Sequence, residues 1–590
     1  MSIISSLTPT QISALTTTQI KDLTTGDMKA LSDKQINALT STQIAAIETQ
    51  DLVILSGKQI SAFKPNEFTY GMTTAQIQAI TAAQATGLTA AQLKDMTSDN
   101  LSNLSTEALS ALSAKQIQGL SSGNIAAFTT AQAAVLSYAQ IAAISTDAVQ
   151  GFETGDLAQI STAAIKGLTA AQLGALNSEQ FSSLDSSQVQ ALSAKQIQAL
   201  STDVIKNLTT SDMKEFSATQ VAALSSAQLG ELSSDKLSAL STDALGALSA
   251  KQIQGLDAAN LSSDTISALS AKQVAALTTA QLNAMDSNQI GSISTSGIAS
   301  LTAAQIKGLT GDNIKHLTSD QAAVLSAKQV AGLSTDAIQG FETEDLATIG
   351  TAAIKGLTAA QLGALDSAQF SSLDSSQVQA LSAKQIQALS TDVIKNLTTS
   401  DMKEFSATQV AALSSAQLGE LSSDKLSALS TDALGALSAK QIQGLTAANL
   451  STGTINALTA KQIAALTTTQ LSGMTSSQIG AISTGSIASL TDAQIKGLSS
   501  ANIAALTTAQ AEALSAKQIA GIGTDAILGL ETADLVEIST AAIKGLTAGQ
   551  IETLTTTQVK ALTSDQVQVL SAKQIQAFTT DQIQHLNFGS

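Results

Sequence analysis

The sequence predicts an all-α solenoid, an elongated rod of very short helices of one to two turns, each encoded by an octapeptide repeat. Three observations predict it. An apolar residue recurs every eight positions, as Leu7, Leu15, Leu23, Leu31, Leu39, Ile47, Leu55 and Phe63. A second apolar residue follows five positions after each, as Ile12, Ile20, Met28, Ile36, Ile44, Leu52 and Ile60. Between the two stands Ser or Thr, with Gln three residues later, so the consensus reads Leu-[Ser/Thr]-x-x-Gln-Ile-x-[Ala/Gly]. Fixed-period repetition of this kind decides a fold before any local propensity does.

The period selects among regular structures. A continuous α-helix turns about 100° per residue, so eight residues leave a drift of about 80° and the Leu positions would spiral round the helix without forming a stripe. A β-strand would place the Leu and Ile of one unit on opposite faces, and Ala, Gln and Lys are poor strand formers. Ser/Thr-x-x-Gln is instead the capping box of a helix N-terminus. The preceding Leu and the following Ile then fall at N′ and N4, the two positions of the hydrophobic staple. Each octad encodes a helix start, about one and a half turns, and a restart. Helices this short are unstable alone because nucleation is costly. They persist only where stacked units bury one another's Leu and Ile, as in a solenoid.

A longer repeat overlies the short one. GFETGDLAQISTAAIKGL begins at Gly151, GFETEDLATIGTAAIKGL at Gly340 and GLETADLVEISTAAIKGL at Gly529, so the three copies are evenly spaced. Each interval is 23 octads plus one five-residue unit, seen as Leu256-DAAN-Leu261 and Leu445-TAAN-Leu450. A nine-residue unit, Phe63-KPNEFTYG-Met72, is the irregular element near the N-terminus. Residues 1–71 therefore read as a partial super-repeat with a break at 63–72. Residues 72–260 and 261–449 are two full super-repeats and 450–590 a partial third, all in one continuous solenoid. The chain ends near the phase at which it starts, so copies joined head to tail would continue the pattern. Solenoid ends without polar caps tend to stack. The expectation is a homopolymer joined through Leu7 and Ile12 at one end and Ile583 and Leu586 at the other. The number of octads per coil is not legible. With three per coil, helix spacing of about 8–10 Å gives a rod of roughly 200–250 Å.

Composition bounds the function. The 590 residues carry a net charge of −17, no Cys, no Trp and no Arg. A chain this acidic is expected to bind neither nucleic acid nor an anionic membrane surface, both of which need clustered cations. No apolar stretch approaches the length of a membrane span. Without Cys there are no disulfides and no thiolate metal sites. The N-terminal MSIISSLTPTQISAL lacks the features of a Sec signal peptide. No motif of catalysis or nucleotide binding is found. His316 and His585 fall at the same repeat position without acidic neighbours at ligand spacing, so no enzyme activity, no cofactor and no metal are expected.

Asp203, Asp392 and Asp525 stand at N2 of their turns, where a carboxylate meets the helix dipole favourably; calcium binding is the alternative reading. Lys115, Lys195 and Lys251 occupy the same position against the dipole, and either point into solvent or pair with carboxylates on the next coil. Ala133, Ala322 and Ala511 replace Ile at one phase, through close packing or a groove for a partner. Phe181, Phe216, Phe370 and Phe405 read as core.

The octapeptide, as in LTAAQLGAL (168–176) and LTAAQIKGL (301–309), resembles repeats of large secreted or surface proteins of bacteria described as adhesin-like. The resemblance implies an extracellular or cell-surface role in filaments, sheaths, surface layers or adhesion, reached without a Sec signal; a cytoplasmic site stays open. Unlike many such proteins, the chain shows no recognisable anchor, calcium repeat or globular head. Two readings follow: a self-assembling structural subunit, or an adhesin-type or spacer solenoid that binds a protein or glycan on a cell surface.

Overall fold

In the computed structural model, which describes residues 3–589, nearly every octad is a helix of one to two turns, most of them capped by the side chain at the N-cap, while the octads around Val149–Gly151 and Ile527–Gly529 narrow to 3₁₀ helices. The α-helices run from four to seven residues, and no strand occurs among the described residues. The unit from Asp185 to Leu192 shows how the sequence makes one. Asp185 is the N-cap, with extended backbone (φ −76°, ψ 167°), and its side chain accepts from the Gln188 N–H. The Gln188 side chain accepts in turn from the Asp185 N–H, closing the capping box. The helix Ser186–Ala191 then ends as Leu192 returns to extended backbone (φ −70°, ψ 138°). Leu192 is the N′ residue of the next unit, so one apolar side chain closes a unit and staples the next.

Among the described residues no non-glycine has positive φ, and of the glycines only Gly589 does. The helices therefore stop without a left-handed cap. They end because the next Ser or Thr starts a new N-terminus shortly after the Ile, before the turn can propagate. Capping at one end fixes the length at both.

The five-residue units become single 3₁₀ turns, Ala258–Asn260 and Ala447–Asn449. The nine-residue unit makes the longest helix, Pro65–Gly71, with Pro at N1, where its missing N–H costs nothing. Its Phe68 packs against Phe63 at 5.9 Å between ring centroids.

The chain divides into two compact units, Met1–Ser300 and Leu301–Ser590, a boundary inside the second super-repeat. Within each unit the helices wind as a solenoid. In the first, Ser41–Ala46 packs on Pro65–Gly71 and Ala194–Gln198 on Ala218–Ala223; in the second, Ser319–Ala323 packs on Thr343–Thr348. Each of these partners lies three units further along the chain. The N4 and N′ apolar residues fill the space between coils: Ile12, Val189, Ile197 and Ile386 are all nearly inaccessible. Ala133, Ala322 and Ala511 are each 0% exposed, which assigns them to close packing and leaves no groove there for a partner. The four Phe are core as expected, and they pair: Phe181 with Phe216 at 6.4 Å and Phe370 with Phe405 at 6.5 Å.

Ion pairing between coils is sparse. Among the described residues, Lys58 meets Asp33 at 2.9 Å and Lys517 meets Asp492 at 2.8 Å. Both pairs join N2 of one helix to N1 of the helix three units earlier, the cross-coil pairing open to the N2 lysines. Lys115, Lys195 and Lys251 themselves form no ion pair with a described residue. Exposed pairs contribute little because solvent screens them and ordering long side chains is costly. Lys517→Ala is accordingly expected to leave the thermal unfolding midpoint unchanged within error; a drop of several degrees would show that the pair matters.

Candidate functional site: the glutamine ladder between coils

The capping box uses only half of the glutamine amide. Oε1 accepts from the N-cap N–H, and Nε2 is left to donate. In both compact units that nitrogen reaches the preceding coil. Gln43 Nε2 donates to the Ile12 and Leu15 carbonyls at 2.9 and 2.7 Å, and Gln188 Nε2 to the Leu157 and Ile160 carbonyls at 2.8 and 2.6 Å. Gln377 and Gln550 repeat the pattern, to Leu346 and Ile349 and to Ile519 and Ile522. The acceptors are the carbonyls at N4 and at the closing apolar residue of the helix four units earlier. The closing carbonyl is one that a short helix leaves orphaned at its C-terminus, while the N4 carbonyl also accepts the closing residue's N–H, as Leu157 does from Ile160.

One side chain thus caps two helices. Oε1 caps the N-terminus of its own, and Nε2 caps the C-terminus of one in the coil below. The glutamines themselves are buried, with Gln188 and Gln377 each 1% exposed. A helix that packs on its third neighbour while its glutamine bonds the fourth belongs to a coil of between three and four units, so no whole number of octads makes a coil.

Several residues that replace Gln at N3 also donate. Where Gln is replaced, Asn100 donates to the Thr69 carbonyl at 2.8 Å and Asn449 to that of Leu421 at 3.0 Å. Lys236 and Lys425 donate their ammonium groups to the Lys206 and Lys395 carbonyls. The sequence carries a signal for this that the capping box alone does not explain. Glu closes that box as well as Gln, yet Glu occupies N3 only in the irregular unit, as Glu67. Asp closes the box at Asp27, Asp212 and Asp401, where N3 is only half-buried; at buried N3 positions the amide supplies the N–H that a carboxylate lacks.

Four units break the rule with a buried acid. Asp51, Asp156, Asp345 and Asp534 stand at N3 behind a Glu N-cap, and are 2 to 5% exposed. Asp51 Oδ1 and Asp156 Oδ2 have no hydrogen-bond partner and no accessible surface.

Of the residues expected to form an assembly interface, Ile12 is 1% exposed, packed within its own compact unit, and Leu7 is half-buried. Leu586 is 9% exposed and Ile583 43%. Gln11 and Gln19, absent from that expectation, are exposed, and their Nε2 groups donate to no described residue. The Val567, Leu570, Ile575 and Phe578 carbonyls receive no glutamine amide from a described residue. Val567/Leu570 and Ile575/Phe578 have the spacing that Nε2 bridges elsewhere in the ladder. His316 closes the helix Gly311–Lys315 half-buried, and His585 is exposed. Asp203 and Asp392 stand at N2, open to solvent, as the dipole reading expects, and Asp525 is exposed as well. Among the described residues no cluster of three or more His, Cys, Asp or Glu could hold a metal ion, and no helix is long and apolar enough to cross a membrane.

Capped single-turn helices tied by a ladder of amides define the class: the chain is an all-α repeat protein of solenoid architecture. Its repeats match the ALTTAQ repeat at residues 149–186, 205–242, 221–258, 338–375, 360–391, 394–431, 410–449, 473–508 and 527–564, together just under half of the chain. The matches beginning at 149, 338 and 527 are evenly spaced and reproduce the interval of the super-repeat. No curated protein matches the chain. Among solved structures, one described as "Structure of APUM23-GGAAUUGACGG" aligns at 12% identity over 92% of this chain and 95% of its own, with a TM-score of 0.15. One described as "Homology model of the full-length AP-3 complex in an intermediate open conformation" aligns at 12% identity over 99% of this chain and 90% of its own, with a TM-score of 0.12. Likenesses this weak carry no argument.

Proposed function

We propose that the protein is a structural, self-assembling subunit of an extracellular filament, sheath or surface layer, and that copies join head to tail by continuing the stack of coils. The observation that carries this reading is the donor–acceptor complementarity of the coil faces. Each coil offers amide N–H groups on one side and pairs of carbonyl acceptors on the other. Gln11 and Gln19 hold unspent donors, and the carbonyl pairs Val567/Leu570 and Ile575/Phe578 receive no glutamine amide. In the ladder's register, with the turn that Leu7 closes following the unit that Leu586 closes, Gln11 of one copy donates to the first pair of another and Gln19 to the second, while Leu7 and Ile583 lose their remaining exposure. Unpaired amide donors and carbonyls at an apolar surface favour association because each pairing removes an imperfectly satisfied group from the interface. The extracellular assignment rests on the resemblance of the octapeptide to bacterial surface repeats.

Electron microscopy and light scattering of the purified 590-residue chain across concentration test the assembly. Filaments, or a mass that grows with concentration, are expected, and the double variant Gln11→Glu/Gln19→Glu should remain monomeric with an unchanged helical circular dichroism spectrum. Isolated wild-type particles at every concentration would overturn the reading and turn attention to the adhesin or spacer alternative.

A further inference from the structure

Once in each super-repeat the ladder lapses for three consecutive units. Their N3 residues are Ala148, Asp156 and Ala164 in the first copy, Ala337, Asp345 and Ala353 in the second, and Ala526, Asp534 and Ala542 in the third. None of the alanines can replace the lost amide. The coils meet there through backbone instead: a Cβ on Gly151 would lie 2.0 Å from the Ser122 carbonyl oxygen, and one on Gly167 2.4 Å from that of Tyr138. These glycines flank the acid unit on both sides, so the Asp is clamped inside the tightest part of the stack.

The surroundings of Asp156 supply acceptors and little else. In the ladder's register a glutamine at its position would reach the carbonyls of Ile125 and Phe128, and the Phe128 carbonyl receives no hydrogen bond from a described residue. Asp156 is 2% exposed, and its Oδ2, wholly shielded and unpartnered, leaves no room for a water molecule or a metal ion. The smallest group that can sit between a carboxylate oxygen and acceptors in such a place is a proton, which converts the acid into the donor that N3 carries elsewhere. Asp345 and Asp534 share the setting, each accepting in addition from a hydroxyl of the coil below, Ser319 at 2.8 Å and Thr508.

We infer that Asp156, Asp345 and Asp534 are proton-operated latches between coils: as neutral acids they donate to the coil beneath, and as carboxylates they leave that seam open. Burial first, and the neighbouring Glu153 second, push the Asp156 carboxyl above the usual carboxylate range, against the lowering effect of the Glu153 N–H. Burial leads for Asp345 and Asp534 as well. The charges around them are mostly acidic. Asp156 has Glu153 on its own unit and Glu179 on the helix Ser178–Ser182, while Thr130–Ala134 carries none. Asp345 has Glu342 and Glu344 on its own unit and Asp320 on Ser319–Ala323, with none on Ser367–Ser371. Asp534 has Glu531 and Glu537 on its own unit, Glu512 on Thr508–Glu512, and one cation, Lys560, on Thr556–Ala561.

A carboxyl raised in the folded state adds stability that is fully present below its unfolded value and is lost as pH rises through the folded one. The seams therefore tighten on acidification.

Hydrogen exchange of the full chain from about pH 7 down to about pH 4 reads this directly, each rate being divided by the intrinsic rate at that pH. Protection of the amides at 153–160, 342–349 and 531–538 should rise on acidification by up to about tenfold per pH unit. The segment 185–192, latched by Gln188, should stay flat. The triple variant Asp156→Gln/Asp345→Gln/Asp534→Gln, which installs the ladder's own residue, should be protected at neutral pH and flat throughout. The triple Asn variant, which cannot ionise, should also be flat, and it serves if the Gln variant misfolds. A flat wild type, or an acid response that survives in both variants, would overturn the inference.

Discussion

Gln188→Glu is expected to lower hydrogen-exchange protection in the segments 157–162 and 185–192 by at least about a hundredfold at neutral pH, equivalent to about 3 kcal/mol. The substitution keeps size, helix propensity and the capping acceptor for the Asp185 N–H. It removes only the two donors and puts a carboxylate oxygen where Nε2 lay 2.8 and 2.6 Å from the Leu157 and Ile160 carbonyls. Leaving a buried acceptor unpaired costs about 1–3 kcal/mol per group, and an unpaired buried charge costs more. The control is Gln198→Glu, an exposed glutamine whose side chain contacts nothing in the ladder, which should change protection little. Equal behaviour of the two variants would mean that apolar packing alone holds the coils and that the ladder is incidental.

Gly340→Ala should destabilise its coil by about 2–3 kcal/mol, at the upper end of what overpacking costs. The added Cβ would lie 2.1 Å from the Gly311 carbonyl oxygen and 2.8 Å from its carbonyl carbon and Cα, so backbone must move. Gly151 and Gly529 meet Ser122 and Ser500 at 2.0 Å in the same way, so the effect should recur in every copy. Gly435→Ala supplies the opposite sign. Nothing lies within 4 Å of its Cβ position, and it ends the helix Thr431–Gly435. That change should be neutral or stabilising by up to about 1 kcal/mol, since Ala loses less backbone freedom in a helix. Thermal unfolding followed by circular dichroism distinguishes the two; similar midpoints for both variants would remove close backbone approach as the reason for glycine at these positions.

The two substitutions mark the border between what is legible in a sequence and what is not. Leu184, Asp185, Gln188 and Val189 announce a staple and a capping box because both are local: every partner lies within one unit, at spacings fixed by helix geometry. The five-residue and nine-residue interruptions are legible for the same reason, and become the 3₁₀ turns and the Pro65–Gly71 helix. The reach of Gln188 to Leu157 is not local. It depends on how far the chain turns per unit, which no octad states, and only the preference for Gln over Glu hints at it. Gly151, Gly340 and Gly529 stand out in the sequence as markers of the super-repeat, yet their purpose appears only when Ser122, Gly311 and Ser500 come into contact with them. The acids at 51, 156, 345 and 534 look like favourable first-turn carboxylates in sequence; stacking is what buries them and raises the cost of their charge.

The sequence by itself determined the unit. Its eight-residue period, the Ser/Thr-x-x-Gln box and the Leu–Ile staple dictate short capped helices, because capping and stapling are satisfied within one turn. Tertiary structure alone decided how the units stack. A coil of between three and four units follows from the packing of helices on their third neighbours together with the bonds from the ladder glutamines to their fourth. The amide N–H, the close-packed glycines and the buried acids acquire their roles only there, since hydrogen bonding, excluded volume and desolvation act between groups that are close in space, whatever their distance along the chain.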